Sequence, residues 1–410
     1  MRSNRVARRL TSVGVVTLVW ALVAAGIASA SPSFAKYQPL PTPASVPPAD
    51  MSYGSISCPL TTSCTAVGDP TSALPWVITF SSEKWQAARA LRLPGGSVSA
   101  SVGVMCPSRG NCLTAGSYVS SYGGTRPLLV AESKGAWLKP ATMSPPSDSI
   151  IGPSEDATLG PPWCSSAGNC VVVGSYDTPT HWRMMTATEI HGVWSKLKAL
   201  PGVGNAQPAS IACTTIGNCT AVAGSMAWSE ISSRWRDPVQ LGASLSSGQS
   251  LTLAGVACPT ASKCFAVGTL ETTSCECRPI DVPVVATGVL GKWSDPLVLN
   301  RTGVYFPTGL SGLQGISCAR GVCVAVGSTD SDNDNDPVDL PIAYAWSSGK
   351  WTGSQEVFGP LAGNESEGSS LGAVSCATPQ HCAAVGMWGL FVNGAGPTEY
   401  FPYASVITPH

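Results

Sequence analysis

Cysteine pairs recur seven times along this chain with nearly constant spacing, most of them followed by a short apolar run ending in glycine. They are Cys58 and Cys64, Cys106 and Cys112, Cys164 and Cys170, Cys213 and Cys219, Cys258 and Cys264, Cys318 and Cys323, and Cys376 and Cys382. Their first members stand 45 to 60 residues apart, a period at which self-similarity signals propeller blades or solenoid units. A repeat covering most of 410 residues argues for one array rather than two or three unrelated domains.

Each unit opens with an alternating segment such as Gly54-Ser55-Ile56-Ser57-Cys58, crosses a short loop, and resumes as Cys64-Thr65-Ala66-Val67-Gly68. Two strands and a tight hairpin fit this pattern. The cysteines then face each other at the hairpin neck, where cross-strand Cβ atoms come close enough for a disulfide. Zinc would want ligands two to four residues apart and four to a site. A third apolar segment follows in most units: Trp76 to Phe80, Leu128 to Glu132, Met184 to Ile190, Val284 to Val289 and Ile342 to Trp346. A fourth opens with an aromatic, at Trp85, Trp137, Trp194, Trp235, Trp293 and Trp351, a stripe best read as packing between neighbouring units. Four strands per unit make a propeller blade. The seventh unit has a third strand near Tyr403 to Thr408 and no fourth, whereas Lys36-Tyr37-Gln38-Pro39-Leu40 precedes the first unit. The expected fold is therefore an all-β, seven-bladed β-propeller of four-stranded blades. Each blade carries one disulfide, and an N-terminal strand near residues 36 to 41 closes the last blade and removes exposed edges. A solenoid would need capping repeats at both ends instead.

From about residue 36 to 410 the chain resembles secreted bacterial, actinobacterial-type seven-bladed propellers with S-C-x5-C-x-A-V-G repeats. It is also distantly similar to the sialidase Asp-box propellers: Ser347-Ser348-Gly349-Lys350-Trp351 matches the spacing of their third-to-fourth-strand turn, but the aspartate is absent, and no sialidase chemistry is carried over.

Arg2, Arg5, Arg8 and Arg9 precede an apolar stretch from Val13 to Ile27 and the small-x-small sequence Ala28-Ser29-Ala30, the plan of a signal peptide. Residues 1–30 are expected to be removed and 31–410 to form the propeller; an uncleaved membrane anchor is the alternative, since the apolar run is short for a span. The product is then secreted or associated with the cell envelope, without a stable membrane span after cleavage, and its 16 cysteines read as disulfides. A net charge of -1 with 11% charged residues offers no basic field for nucleic acid.

Loops joining strands 1 to 2 and 3 to 4 share one face of a propeller and are nearly constant in length here. Those on the other face vary from Ser225-Met226-Ala227 to the stretches 144 to 162, 271 to 283, 328 to 341 and 387 to 402. Variable loops carry specific sites. On that face Tyr118, Tyr122, Asp177, His181, Trp182, Trp228 and Trp388 are the expected ligand-binding residues, with an extracellular glycan, peptide or protein as partner and a monomer as the binding unit. Asp330, Asp332, Asp334 and Asp336 supply oxygens suited to calcium, although Asn335 replaces the turn glycine of an EF-hand loop and Pro341 its closing glutamate. Cys275 and Cys277, outside the repeat, read as a labile redox bridge, a loop clip or a link to another chain. His-Glu-x-x-His does not occur, and there are four histidines. A non-catalytic binding propeller is the expected function. One alternative is a glycoside hydrolase or lyase with carboxylates such as Glu132, Glu189, Glu271 and Asp281 around the central channel. The other is a purely structural envelope protein.

Overall fold

The computed structural model describes residues 33–34, 38–47, 51–70, 74–203, 208–273, 279–289, 291–299, 312–330, 339–353, 369–392 and 395–409. Every regular element among them is a strand, and the strands form seven antiparallel sheets, six ordered first to fourth from one cysteine repeat and the seventh completed by N-terminal strands. First strands of neighbouring blades pack against one another around the ring, so Met51–Leu60 touches both Ser97–Ser108 and Ser369–Thr378. The expected seven-bladed propeller is the observed architecture.

All seven repeat pairs are disulfides, with Cα atoms 3.9 to 4.0 Å apart. In several blades the two cysteines are direct cross-strand partners, as in Cys164 with Cys170 and Cys376 with Cys382. The repeat's glycine has a steric cause. Just before the cysteine the first strand bulges, as between Leu371 and Ala373, and its backbone presses on the second strand. A Cβ placed on Gly386 would lie 1.8 Å from the Ser370 carbonyl oxygen, and one on Gly116 1.9 Å from that of Ser101. Only glycine admits that approach.

Third-to-fourth-strand turns are two-residue hairpins with both central residues at positive φ, as in Lys134-Gly135 and His191-Gly192. They stack on the first-to-second-strand turns: Gly135 N–H donates to the Gly110 carbonyl, and Gly192 N–H to that of Gly168, each at 2.8 Å. These two turn sets therefore form one face. The stripe tryptophans sit at the far end of those hairpins, half-buried against the blade cores.

Ring closure follows the expected scheme. Gln38–Pro39 pairs with the C-terminal strand Ala395–Thr408, Gln38 facing Ala404 and Pro39 facing Tyr403. Ser33–Phe34 continues the same edge opposite Ile407 and Thr408. Leu40 is buried with Val385 and Ala404, and the Tyr53 hydroxyl donates to the Pro41 carbonyl at 2.6 Å. Burial pushes that hydroxyl well above the usual tyrosine range. Tyr37 and residues 1–30, with the expected leader, lie outside the described residues.

Two expectations change. The stretch 387 to 402 is no open loop, because the second and third strands of blade 7 continue through it as a paired hairpin, His381–Val392 with Ala395–Thr408. Blade 5 does the same on either side of 274–278, pairing Thr272 with Ile280 and Thr273 with Pro279. Blade 3 departs in the other direction: Gly160-Pro161-Pro162 splits its innermost strand into Ala157–Leu159 and Trp163–Ser166, since proline cannot donate to a ladder. Pro161 packs over Gly103 of blade 2, where a Cβ would come within 2.6 Å of its ring.

Candidate functional site

On the variable face, the connection from blade 2 to blade 3 is an ordered strap. It leaves the edge strand Ala141–Thr142 and returns as the first strand of blade 3 at Ala157. Its backbone is pinned to both blades. Ile150 N–H donates to the Asp177 carbonyl at 3.0 Å, Thr125 N–H to that of Glu155 at 2.7 Å, and Asp177 N–H to that of Asp156 at 2.9 Å. Asp148 binds Arg183 Nη1 at 2.6 Å and accepts from the Tyr176 hydroxyl at 3.0 Å. Burial opposes ionisation of Asp148, but hydrogen bonds from Arg183 and Tyr176 and the guanidinium charge outweigh it, holding the carboxyl below its ordinary value. Burial and the bond to Asp148 push the Tyr176 hydroxyl up to about 12.

Under the strap lies a cavity of about 310 Å³ lined by Tyr118, Arg126, Met143, Pro146, Ile151 and Glu155. Arg126 Nε stands 3.3 Å from a buried Glu155 carboxylate oxygen while part of the arginine reaches solvent. Ile151 is 81% exposed and Tyr122, one turn away on blade 2, 87%. Asp156 and Asp177 flank the strap's return; burial first and the Asp177 charge second raise the Asp156 carboxyl, against a hydrogen bond from Thr125. The site thus joins an arginine, a group of carboxylates and exposed apolar side chains on a rigid base.

Five of the seven expected ligand-binding residues fall in this region. Tyr118 forms part of the cavity wall with little exposed surface, and Tyr122 is exposed on the turn of blade 2 that packs on the strap at Pro153. Asp177 and Trp182 are cross-strand partners at the mouth of the adjacent hairpin, and His181 lies in its turn, with Nδ1 2.8 Å from the Thr180 hydroxyl. The other two require correction. Trp228 is fully buried in the core of blades 3 and 4, its indole donating to the Pro201 carbonyl at 2.9 Å. Trp388 is buried and stacked on Phe401 with ring centroids 5.0 Å apart. Neither side chain is open to a ligand: Trp228 turns inward beside the short hairpin turn of blade 4, and Trp388 does so in the extended hairpin of blade 7. Arg126, Asp148, Glu155 and Arg183 are the residues sequence reasoning missed, and no spacing rule marks them, because partners 29 and 35 positions apart meet only through blade packing.

Asp332, Asp334 and Asp336, like Cys275 and Cys277, lie outside the described residues; Asp330 ends a strand with its backbone opposite Asp339. Among the described residues no cluster of three metal-ligating side chains occurs. The carboxylates considered for glycoside hydrolysis do not ring the channel. Glu132 and Glu189 sit on the third strands of blades 2 and 3, away from the axis, and only Glu271 and Asp281 face each other, as neighbours within blade 5.

No protein-family model and no curated protein matches the chain. Similar solved structures include YCF48 bound to D1 peptide, 10% identical with a TM-score of 0.48, covering 92% of this chain and 94% of that one. The WD40 propeller domain of Doa1 is 8% identical with a TM-score of 0.48 over 92% and 98%. An alpha-L-arabinanase of Penicillium chrysogenum complexed with arabinobiose is 10% identical with a TM-score of 0.45 over 92% and 99%. The seven sheets themselves define the architecture. Seven disulfides suit an oxidising compartment. No helix among the described residues is long and apolar enough to cross a membrane.

Proposed function

We propose that this chain is an exported, non-catalytic binding propeller that takes a segment of an extracellular protein or glycan against the variable rim of blades 2 and 3. The observation that carries this reading is the strapped cavity of about 310 Å³, with Ile151 exposed in its lining and Tyr122 exposed on the blade 2 turn that packs on the strap at Pro153. Pre-formed sites of this kind combine apolar surface with a few fixed polar groups. Here the strap's own contacts already hold those groups, so little ordering cost is left to be met on binding. Tyr122 and Ile151 supply area, Arg126 a charged donor, and the ring a rigid base. Monomeric action suits a ring whose blades end in short two- or three-residue outer strands.

The test is a binding screen of the purified mature chain against cell-wall glycans and secreted peptides, repeated with Tyr122→Ala and Arg126→Ala. A ligand whose affinity falls at least about tenfold in either variant, with the Tm unchanged, supports the reading. No ligand in the screen, or one indifferent to both substitutions, overturns it. Turnover of a polysaccharide by the unaltered chain would favour the glycosidase alternative instead.

A further inference from the structure

The opposite face holds a second cavity, of about 330 Å³, in the groove between blades 1 and 2 beside the constant turns. Its wall on blade 2 carries Glu132 and Trp137, direct cross-strand partners where the third strand meets the fourth. Blade 1 contributes Arg89, from the edge strand that pairs with Trp76–Ser81, together with the hydroxyls of Thr65 and Thr79. Arg109, in the first-to-second-strand turn of blade 2, completes the rim. Both arginines are exposed at the mouth, whereas Glu132 and Trp137 are half-buried within.

Glu132 is a carboxylate held in partial burial without a hydrogen bond to its side chain among the described residues, and Arg89 is the charge that acts on it. A half-buried acceptor of this kind is costly unless a donor arrives from outside. Two guanidinium groups stand against one carboxylate, which leaves the mouth net positive and suited to a carboxylate on the ligand. The indole offers an apolar wall to a ring's C–H face, and the threonine hydroxyls extend the polar floor. A ring bearing several hydroxyls and one carboxylate meets each requirement: hydroxyls donate to Glu132, the carboxylate is gripped by arginine, and the ring lies on Trp137. The volume falls at the lower end of small-molecule sites, the scale of one sugar unit.

We infer that the groove between blades 1 and 2 is a binding site for an acidic sugar unit, with Arg89 and Arg109 on its carboxylate, Glu132 on its hydroxyls and Trp137 against its ring. The site lies on the face opposite the strapped rim and stands or falls independently of it. The experiment is a saturation-transfer NMR and calorimetric titration of the mature chain with glucuronate, galacturonate and N-acetylneuraminate, using glucose and acetate as partial probes. At least one acidic sugar should bind, more tightly than either partial probe. Arg89→Ala and Glu132→Gln should each weaken it at least about tenfold, while Tyr122→Ala on the other face leaves it unchanged. Glu132→Gln keeps the shape of the groove, so a loss there reports the carboxylate rather than misfolding. Failure of all three acidic sugars to bind, binding of glucose equal to that of the acids, or affinity unmoved by both groove variants would overturn the assignment.

Discussion

Blades 6, 7 and 1 and blades 2, 3 and 4 share one strand plan, yet their junctions are held by different chemistry. In the first group the residue before the leading cysteine is serine, and its hydroxyl accepts from the next blade's cysteine N–H: Ser317 from Cys376 at 3.0 Å, Ser375 from Cys58 at 2.9 Å, and Ser57 from Cys106 at 2.8 Å. Ser55 adds a bond from Val104 N–H at 3.0 Å. In blades 2 to 5 that position is Met105, Trp163, Ala212 and Ala257, with no hydroxyl to offer. The stitched junctions, 6 to 7, 7 to 1 and 1 to 2, surround the point where the two chain ends meet. Polar stitching is concentrated where the ring is sealed by the two-residue strand Gln38–Pro39 rather than by a long one.

Blades 2 to 4 instead share a Gly-Asn-Cys turn. Asn111, Asn169 and Asn218 accept from the N–H of Lys134, His191 and Ser232, tying each blade's two turns together. The same blades place Glu132, Glu189 and Glu230 beside their stripe tryptophans, where blades 1, 6 and 7 have Phe80, Trp346 and Ile407. One arc joins its blades by serine hydroxyls and keeps apolar residues at the stripe position; the other places carboxylates there. A fold shared by all seven blades does not require those carboxylates.

The largest expected effect is the one that should not distinguish the arcs. Replacing both cysteines by serine at Cys376 and Cys382, or at Cys213 and Cys219, should cost about 2 kcal/mol in either blade, because each bridge closes a loop of similar length. Chemical denaturation of both variants checks this, and a gap above about 1 kcal/mol would break the view that the bridges act locally. Next come the stitches. Ser57→Ala and Ser375→Ala each strand an N–H between blades and should cost about 1 to 2 kcal/mol, whereas Ser165→Ala, whose hydroxyl meets only the exposed turn carbonyl of Asn169, should cost under about 0.5 kcal/mol. Equal losses would remove the distinction between sealed and unsealed junctions.

The smallest effect depends on pH. Burial raises the carboxyls of Glu132, Glu189 and Glu230, so the protonated form is favoured in the fold. That contribution is complete below the ordinary glutamate value of about 4.3 and is lost as the pH rises through the elevated one. Glutamine copies the protonated form. Glu189→Gln and Glu230→Gln should therefore raise stability by up to about 0.5 kcal/mol at neutral pH and by nothing in acid. Glu132→Gln should gain less, because Arg89 already favours its charge. Thermal melts across the acid range give the answer, and a gain that persists in acid would point to packing instead of ionisation.

Much of the fold is legible in the sequence. The cysteine spacing, the Ala-Val-Gly run and the tryptophan stripe report contacts inside one blade, between residues a few positions apart or directly paired across a hairpin, and such contacts leave a periodic trace. The candidate site was legible only in outline. Tyr122, Asp177, His181 and Trp182 could be placed on the variable face by counting strands, but Trp228 and Trp388 turn inward, since a count gives the loop and not the direction in which a side chain beside it points.

What the order of residues determined alone was the number of blades, the local bridges and the need for an N-terminal strand to finish the seventh, all consequences of short-range pairing and of a missing fourth strand. What only the tertiary structure decided was which distant groups come together: Asp148 bonded to Arg183 and Tyr176, Arg126 beside Glu155, Glu132 and Arg89 lining one groove, and Ser375 bonded to Cys58 across 317 positions. Those meetings depend on how one sheet packs against the next, through contacts that no period in the chain records, and both the strap and the groove arise there.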